Sequence, residues 1–372
     1  MASDLPVDLL QDIFLRLDDA ADLARTSAAC APFRHAISDG RFRRRFMSLR
    51  RPPVLGFLYG GGYDGSDVRF HPAEPPCRCA PAAHAFAEAA DFNFSTLPSH
   101  SHFPWCVRDA CNGRVLLSRF NVNKPVFEVL AVYDPLHRRH IEIPPIPKDL
   151  LAPKHHVTHR FELQYLDPYL DRATEEEKEE EEELPPFRVM CNLFTEMKVK
   201  AFIFSSVTRK WQTGASFAIG TTIWSKTPTM LSRQYAYGCF YWTEFSERVM
   251  LVLETPKMKF SMVDLPPKSY RRDKVVVEAA EGRLGLLLFN RDVLDLYSKT
   301  WQDNGVGEKD WRHDNVIPLL DDYYYWSRSV SVVWLRATYS YKGFSKTNTA
   351  SGYTLLKRYP THITSHWSLR RC

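Results

Sequence analysis

Four segments of this chain can be laid over one another without a gap: VYDPLHRRH from Val132, FSSVTRKW from Phe204, LETPKMKF from Leu253 and LDLYSKTW from Leu294. Each places a small or acidic residue six positions before an aromatic ring, pairing Asp134 with His140, Ser205 with Trp211, Glu254 with Phe260 and Asp295 with Trp301. A strand, a tight turn whose acid or hydroxyl accepts backbone N–H bonds, and a return strand carrying a packed ring would account for the pattern. The turns lie 71, 49 and 41 residues apart, close to the roughly 40–50-residue period of propeller blades. Ahead of them run NGRVLLS, FRVMCNLF, YGCFYW and EGRLGLLLF, read as inner strands. At about 45 residues per blade, the chain beyond residue 50 has room for six or seven blades, the first and last irregular.

The first 50 residues follow another period. From Pro6 to Leu17, Leu9, Leu10, Ile13, Phe14 and Leu17 recur at helical spacing, with Asp8, Gln11, Asp12 and Arg16 opposite. Pro6 suits a first helical turn. A second helix is expected from Asp18 or Asp19 and a third from near Pro32. RFRRRFMSLRR, from Arg41 to Arg51, fits a connecting helix with Phe42 and Phe46 turned inward. So small a unit buries too little surface to be secure alone, and its exposed apolar stripe points to a partner. At RPPVLGFLYGGGYDG the pattern changes to short strands and turns, which sets a boundary near residue 51 between a helical domain, 1–50, and a β domain, 51–372.

The positions Leu5-Pro6, Leu9-Leu10, Ile13, Leu17, Leu23, Cys30 and Phe33-Arg34 resemble the F-box, with Phe33 in place of the usual tryptophan and Ala31-Pro32 where basic residues are common. The runs WCVRDACNGRVLLS, YAYGCFYWTE, MLVLETPKMKFSMVDLPP and EGRLGLLLF are similar to the F-box-associated propeller region of plant, especially cereal, F-box families. The likeness extends to about Leu320, and the segment from about residue 321 diverges. The fold implied is α+β multidomain: a three-helix F-box followed by an all-β propeller of kelch or F-box-associated type. The function implied is substrate recruitment in a Skp-cullin-F-box ubiquitin ligase. Leu5, Pro6, Leu9, Leu10, Ile13, Leu17, Leu23 and Phe33 would touch the Skp-type adaptor, and through it a cullin, while the propeller would take an unidentified protein substrate. The alternative is a propeller enzyme or carbohydrate-binding protein whose N-terminal helices only cap the domain.

Composition narrows the other classes. There is no run of 18 apolar residues and no basic, apolar leader at MASDLPVD, so neither a membrane span nor secretion is expected and the location implied is cytoplasmic or nuclear. The eight cysteines read as reduced, buried small side chains. The net charge of +5 includes a run of eight Glu against one Lys from Glu175 to Glu183, inside an irregular polar insertion expected over 154–186. The remaining basic residues are scattered, and nucleic acid is not an expected partner. Cys77-Arg-Cys79, Cys106 with Cys111, and His155-His156-x-x-His159 lack zinc spacing. Gly60 to Gly65 have no following Lys-Ser/Thr, and no Gly-x-Ser-x-Gly or His-Glu-x-x-His occurs. Paired carboxylates drawn from separate strands are the one catalytic arrangement left open. No catalytic residue, metal or cofactor is expected.

Overall fold

The structure is a computed structural model that describes residues 5–17, 20–49, 54–59, 68–98 apart from 76 and 78, 105–120, 127–151, 165–172, 186–219 apart from 196 and 197, 231–318 apart from 245, 280, 281, 291, 292 and 301–309, and 333–336. The chain opens with four helices, α1 Val7–Phe14, α2 Ala20–Ala29, α3 Ala31–Ser38 and α4 Gly40–Leu49. The first stops short of Leu17, its C-terminal N–H groups closing a turn onto Gln11 and Ile13. Pro32 lies in the first turn of α3, where a missing N–H costs no helical bond. Asp39 starts α4 by accepting the Phe42 N–H at 2.7 Å, satisfying one of the donors that every helix start leaves open. Phe42 and Phe46, one turn apart, are both buried, as their spacing requires.

The remaining elements, in chain order, are β1 Val54–Tyr59, β2 Arg69–Pro72, α5 Ala80–Ala89, β3 Trp105–Cys111, β4 Arg114–Phe120, β5 Phe127–Asp134, β6 Arg139–Ile143, α6 Lys148–Leu151, β7 Tyr165–Leu170, β8 Arg188–Phe194, β9 Lys198–Ser205, β10 Lys210–Ala218, β11 Ser232–Ala236, β12 Cys239–Thr243, β13 Val249–Glu254, β14 Lys259–Asp264, β15 Lys274–Glu278, β16 Arg283–Asn290, β17 Val293–Thr300, β18 Arg312–Pro318 and β19 Val333–Arg336. Four of the sheets are four-stranded and joined in sequence order, β3 to β6, β7 to β10, β11 to β14 and β15 to β18. Every pairing recorded within them is antiparallel. The fifth is three-stranded, β1 lying between β2 and β19, with Val54 opposite Arg336 and Leu58 opposite Val333. Gly56 permits that close packing, because a Cβ there would run into the His71 carbonyl oxygen on β2. The body is thus mostly β, and five sheets fall within the described residues.

Three of the four superimposed segments are hairpin turns. Asp134 accepts the Leu136 and His137 N–H groups, both at 3.1 Å, between β5 and β6. Arg138, Arg209 and Met258, the residues that lead into the return strands, all take left-handed φ, at 55°, 55° and 48°. The fourth segment is a correction. Leu294 to Thr300 lies within β17, and Asp295 bonds to Arg272 and His313 instead of closing a turn. Leu-Tyr-Ser follows that aspartate where a turn former is needed, so strand pairing prevails. The runs read as inner strands are each the second strand of a sheet, flanked on both sides. Asn112-Gly113 and Tyr237-Gly238, with φ of 51° and 72° and of 46° and 75°, make the tight two-residue turns that lead into β4 and β12.

Two further expectations are corrected. The insertion placed at 154–186 contains a buried strand, β7; Pro168 is tolerated because β7 is at the edge of its sheet and lacks a ladder bond on one side. The acidic run itself, like the segment beyond 336, lies outside the described residues. The cysteines are not all reduced: Cys77 and Cys79 form a disulfide at the entry to α5, their Cα atoms 5.2 Å apart and within bridging range. Cys191 and Cys239 are buried, as expected, while Cys30, Cys106 and Cys111 are half-buried. Cys372 lies outside the described residues.

The chain divides into two compact units, 1–117 with 131–141 and 331–372, and 118–130 with 142–330. In the first, Asp91 accepts the Asn93 and Ser95 N–H groups, the Ser95 hydroxyl and the Tyr133 hydroxyl, fixing the 91–97 turn on β5. In the second, the β11–β14 sheet is covered on both faces. Phe240, Trp242, Leu251 and Leu253 pack with Tyr169, Met190 and Phe194 of the β7–β10 sheet. Cys239, Tyr241, Met250 and Val252 pack with Leu284, Leu286 and Leu288 of the β15–β18 sheet. Side chains alternate faces along a strand, so a strand covered on both sides is apolar throughout, and YGCFYW is such a run.

Candidate functional site

The apolar stripe of α1 is about 140° wide at 100° per residue, and the structure divides it. Leu10, 2% exposed, and Phe14 enter a core with Leu23, Ala36, Ile37, Phe42 and Phe46, against which Leu17 and Phe33 pack. The Phe14 ring meets Phe33 edge-on at 5.2 Å and Phe42 at 6.4 Å. Leu9 and Ile13 point outward, 51% and 46% exposed, and Leu5, one turn earlier, is 38% exposed. Leu9 and Ile13 lie about 40° apart around α1, and Leu5 precedes the helix. Pro6 is exposed at the N-cap, and Val7 is a further exposed apolar residue not singled out from the sequence. Of the eight proposed adaptor-contact residues, the structure leaves Leu5, Pro6, Leu9 and Ile13 exposed, the last two on one face of α1. It places Leu10 and Leu23 inside, with Leu17 and Phe33 at the margin of the core. The width of the stripe was the available signal, since a helix docked on one side needs only part of such an arc.

The helices are locked behind this face. Gln11 donates its side-chain N–H to the Ala36 carbonyl at 3.0 Å, tying α1 to α3. Arg45 of α4 lies 3.6 Å from Asp12, but both side chains are exposed and the pair adds little. The exposed row consequently sits on a helix whose rotation is fixed by packing.

Elsewhere, buried Asp167 and Lys274 are engaged in bonding. Asp167 of β7 pairs with Arg233 of β11 and accepts the Trp242 indole N–H at 2.8 Å; the Arg233 guanidinium lies 4.8 Å from the centre of the Tyr169 ring. Burial first, and the Asp167 charge second, push the Tyr169 hydroxyl and the Cys191 thiol well up, leaving that thiol an inert side chain at neutral pH. Arg233 is committed to this pair, whereas Tyr235, two residues on, is exposed.

Lys274 of β15 is buried and donates to the Glu244 carbonyl at 2.5 Å and the Arg272 carbonyl at 3.0 Å. Burial lowers its pKa to about 8, against the opposing pull of Asp273, Glu244 and Glu247. Between about pH 8 and the ordinary lysine value of 10.5, the unfolded chain therefore holds a proton that the folded chain has released. Stability associated with this group should rise with pH through that window and be lost as pH falls toward 8. The neutral amine still has two N–H donors for its two carbonyls. Urea midpoints at pH 7.5 and 9.5 should therefore separate more in the parent than in Lys274→Met; an equal separation would contradict this.

Among the described residues no helix is long and apolar enough to cross a membrane, and no His, Cys, Asp and Glu residues gather into a metal-binding group. A chain of the structure titled "Crystal Structure of Mitotic Checkpoint Complex" aligns at 8% identity over 55% of this chain and 48% of that one, with a TM-score of 0.28. A bifunctional GH43-CE protein of Bacteroides eggerthii aligns at 7% identity over 58% of this chain and 36% of its own, with a TM-score of 0.20. The chain thus spans about half or less of either. No curated protein matches it. Residues 2–48 match the F-box-like family, so the four helices bearing the exposed Leu5–Leu9–Ile13 row form an F-box-like region.

Proposed function

We propose that the protein is the substrate-recruiting subunit of a Skp-cullin-F-box ubiquitin ligase. The observation that carries this reading is the outward pair Leu9 and Ile13 on α1, with exposed Leu5 just before it, on an F-box-like region whose core is filled by other side chains. F-box regions generally bind Skp-type adaptors, and exposed leucine and isoleucine on a rotationally fixed helix offer a preorganised apolar contact. Leu10, Leu23, Leu17 and Phe33 serve that contact indirectly, by holding α1 in place.

The body supplies the other end. Sheets of four antiparallel strands that cover one another face to face in the second unit fit the blades of a propeller, whose connecting loops would bind a protein substrate. Such a subunit works by position: holding a substrate near the ubiquitin carrier raises the effective concentration of its lysines, and no group of this chain takes part in bond making. A cytoplasmic or nuclear location follows from that role, and the plant F-box-associated type is the family this reading favours.

Leu9→Asp combined with Ile13→Asp should abolish co-purification with a Skp-type adaptor while leaving the helical circular dichroism intact, because both residues are exposed. Parent-level recovery of the adaptor would show that α1 does not dock it.

A further inference from the structure

Two loops of the second unit leave the β11–β15 region on the same edge, because strands in an antiparallel meander alternate in direction. One joins β12 to β13 and ends at Arg248; the other joins β14 to β15 and contains Lys268, Tyr270 and Arg271. Tyr270 is 43% exposed. The Arg248 guanidinium lies 5.1 Å from the centre of its ring and that of Arg271 5.4 Å. Arg271 takes a left-handed φ of 55° directly after Tyr270. Arg248, Lys268 and Arg271 are all exposed, and no described carboxylate pairs with any of them.

The corner is preformed from beneath. Leu265 donates its N–H to the Arg248 carbonyl at 2.8 Å. Buried Lys274 bonds one carbonyl in each loop, Glu244 and Arg272, and so fastens the two together. Glu244, Glu247 and Asp273 act electrostatically on buried Lys274, Arg272 is paired with Asp295 at 2.9 Å, and exposed Asp264 lies opposite Val249. What faces outward is an exposed aromatic ring flanked by two guanidinium groups, on loops whose backbones are tied together beneath it.

We propose that this corner, Arg248, Lys268, Tyr270 and Arg271, is a docking site for a short anionic segment of a partner protein, its carboxylates or phosphate taken by the guanidinium groups while an apolar neighbour rests on Tyr270. The proposal deepens the substrate-recruiting role above and rests on it for the identity of the partner. Charge complementarity selects an anionic occupant, and guanidinium forks suit planar carboxylates and phosphates. Two guanidinium groups on one ring, with Lys268 two residues before it in the same loop, match a few anionic oxygens of a peptide. Nucleic acid instead calls for a line of phosphate contacts along a groove.

The test is fluorescence anisotropy of the full chain with three labelled probes: a ten-residue Glu-rich peptide, the same length with two phosphoserines in a neutral background, and a neutral peptide. A single-stranded RNA of equal charge is the fourth probe. Both anionic peptides should bind more tightly than the neutral one, and the stronger of the two identifies carboxylate or phosphate as the preferred source. Arg248→Glu with Arg271→Glu should weaken that binding about tenfold or more, as reversal of interface charges does, and Arg248→Gln with Arg271→Gln should weaken it less. Equal binding of neutral and anionic peptides, tighter binding of RNA, or unchanged binding by the charge-reversed chain would each overturn the proposal. Adaptor co-purification of the same variants reads the ligase assignment separately. Retained adaptor with no anionic binding rejects only this site, and anionic binding without any adaptor rejects only the ligase role.

Discussion

Asp167→Ala should destabilise the second unit by about 3–5 kcal/mol, the usual cost of removing one member of a buried ion pair. Asp167 is buried, and its two oxygens serve both Arg233 of β11 and the Trp242 indole N–H of β12. β7 belongs to one sheet and β11 and β12 to the next, so this carboxylate joins two sheets. Alanine would leave the guanidinium without its counter-charge and the indole donor without an acceptor, beside Tyr169, Phe240 and Trp242. Asp167→Asn, which keeps an acceptor for the indole, should fall between alanine and the parent. Replacing the pair together, Asp167→Leu with Arg233→Met, should cost less than Asp167→Ala, because no buried charge is stranded. Urea denaturation followed by tryptophan fluorescence would read all three. A loss below about 1 kcal/mol for the alanine variant would place the pair among weak surface bridges.

Phe14→Ala should remove about 3–5 kcal/mol from the helical region, the typical cost of truncating a buried phenylalanine. The ring sits between Phe33 and Phe42 in a small core, with seven buried apolar residues among those described, so the cavity cannot be shared widely. A loss of that size is a large part of what so small a core can supply. Hydrogen exchange should show amides of α1, α3 and α4 losing protection while those of β13 keep theirs. Leu9→Ala, on the exposed side of the same helix, should change protection by no more than about 0.5 kcal/mol, as surface substitutions do. Equal effects at Phe14 and Leu9 would mean that the stripe is not divided as described.

That division shows where sequence is informative and where it stops. Helical period placed Leu9, Leu10, Ile13, Phe14 and Leu17 on one broad side of α1; the first four lie there, and Leu17 falls beyond the helix end. Which half of that side meets the core depends on Phe42, Phe46 and Ile37, supplied by helices whose packing no spacing rule in α1 contains. The hairpins were legible because a polar residue and its turn are local, as at Asp134 and its two amide donors. LDLYSKTW fitted the same template in composition, yet its aspartate is drawn to Arg272 and His313, residues contributed by distant segments. The strand β7 was concealed by Pro168 and by the acidic run that follows it. The corner at Tyr270 was not legible in the sequence, because its cations come from two loops joined by long-range bonds of Lys274 and Leu265.

The pairing of β1 with β19 bears on how the protein is made. Val54 leaves the ribosome before every other described strand has been synthesised, and its partner Arg336 follows only after them. At roughly 5–20 residues per second, that interval is on the order of tens of seconds. Throughout it one edge of β1 is open to solvent and to other nascent chains. The helices of residues 5–49 rely on local contacts and are the quicker to form. A newborn chain could therefore present its leucine row to an adaptor while its first strand still awaits its last neighbour.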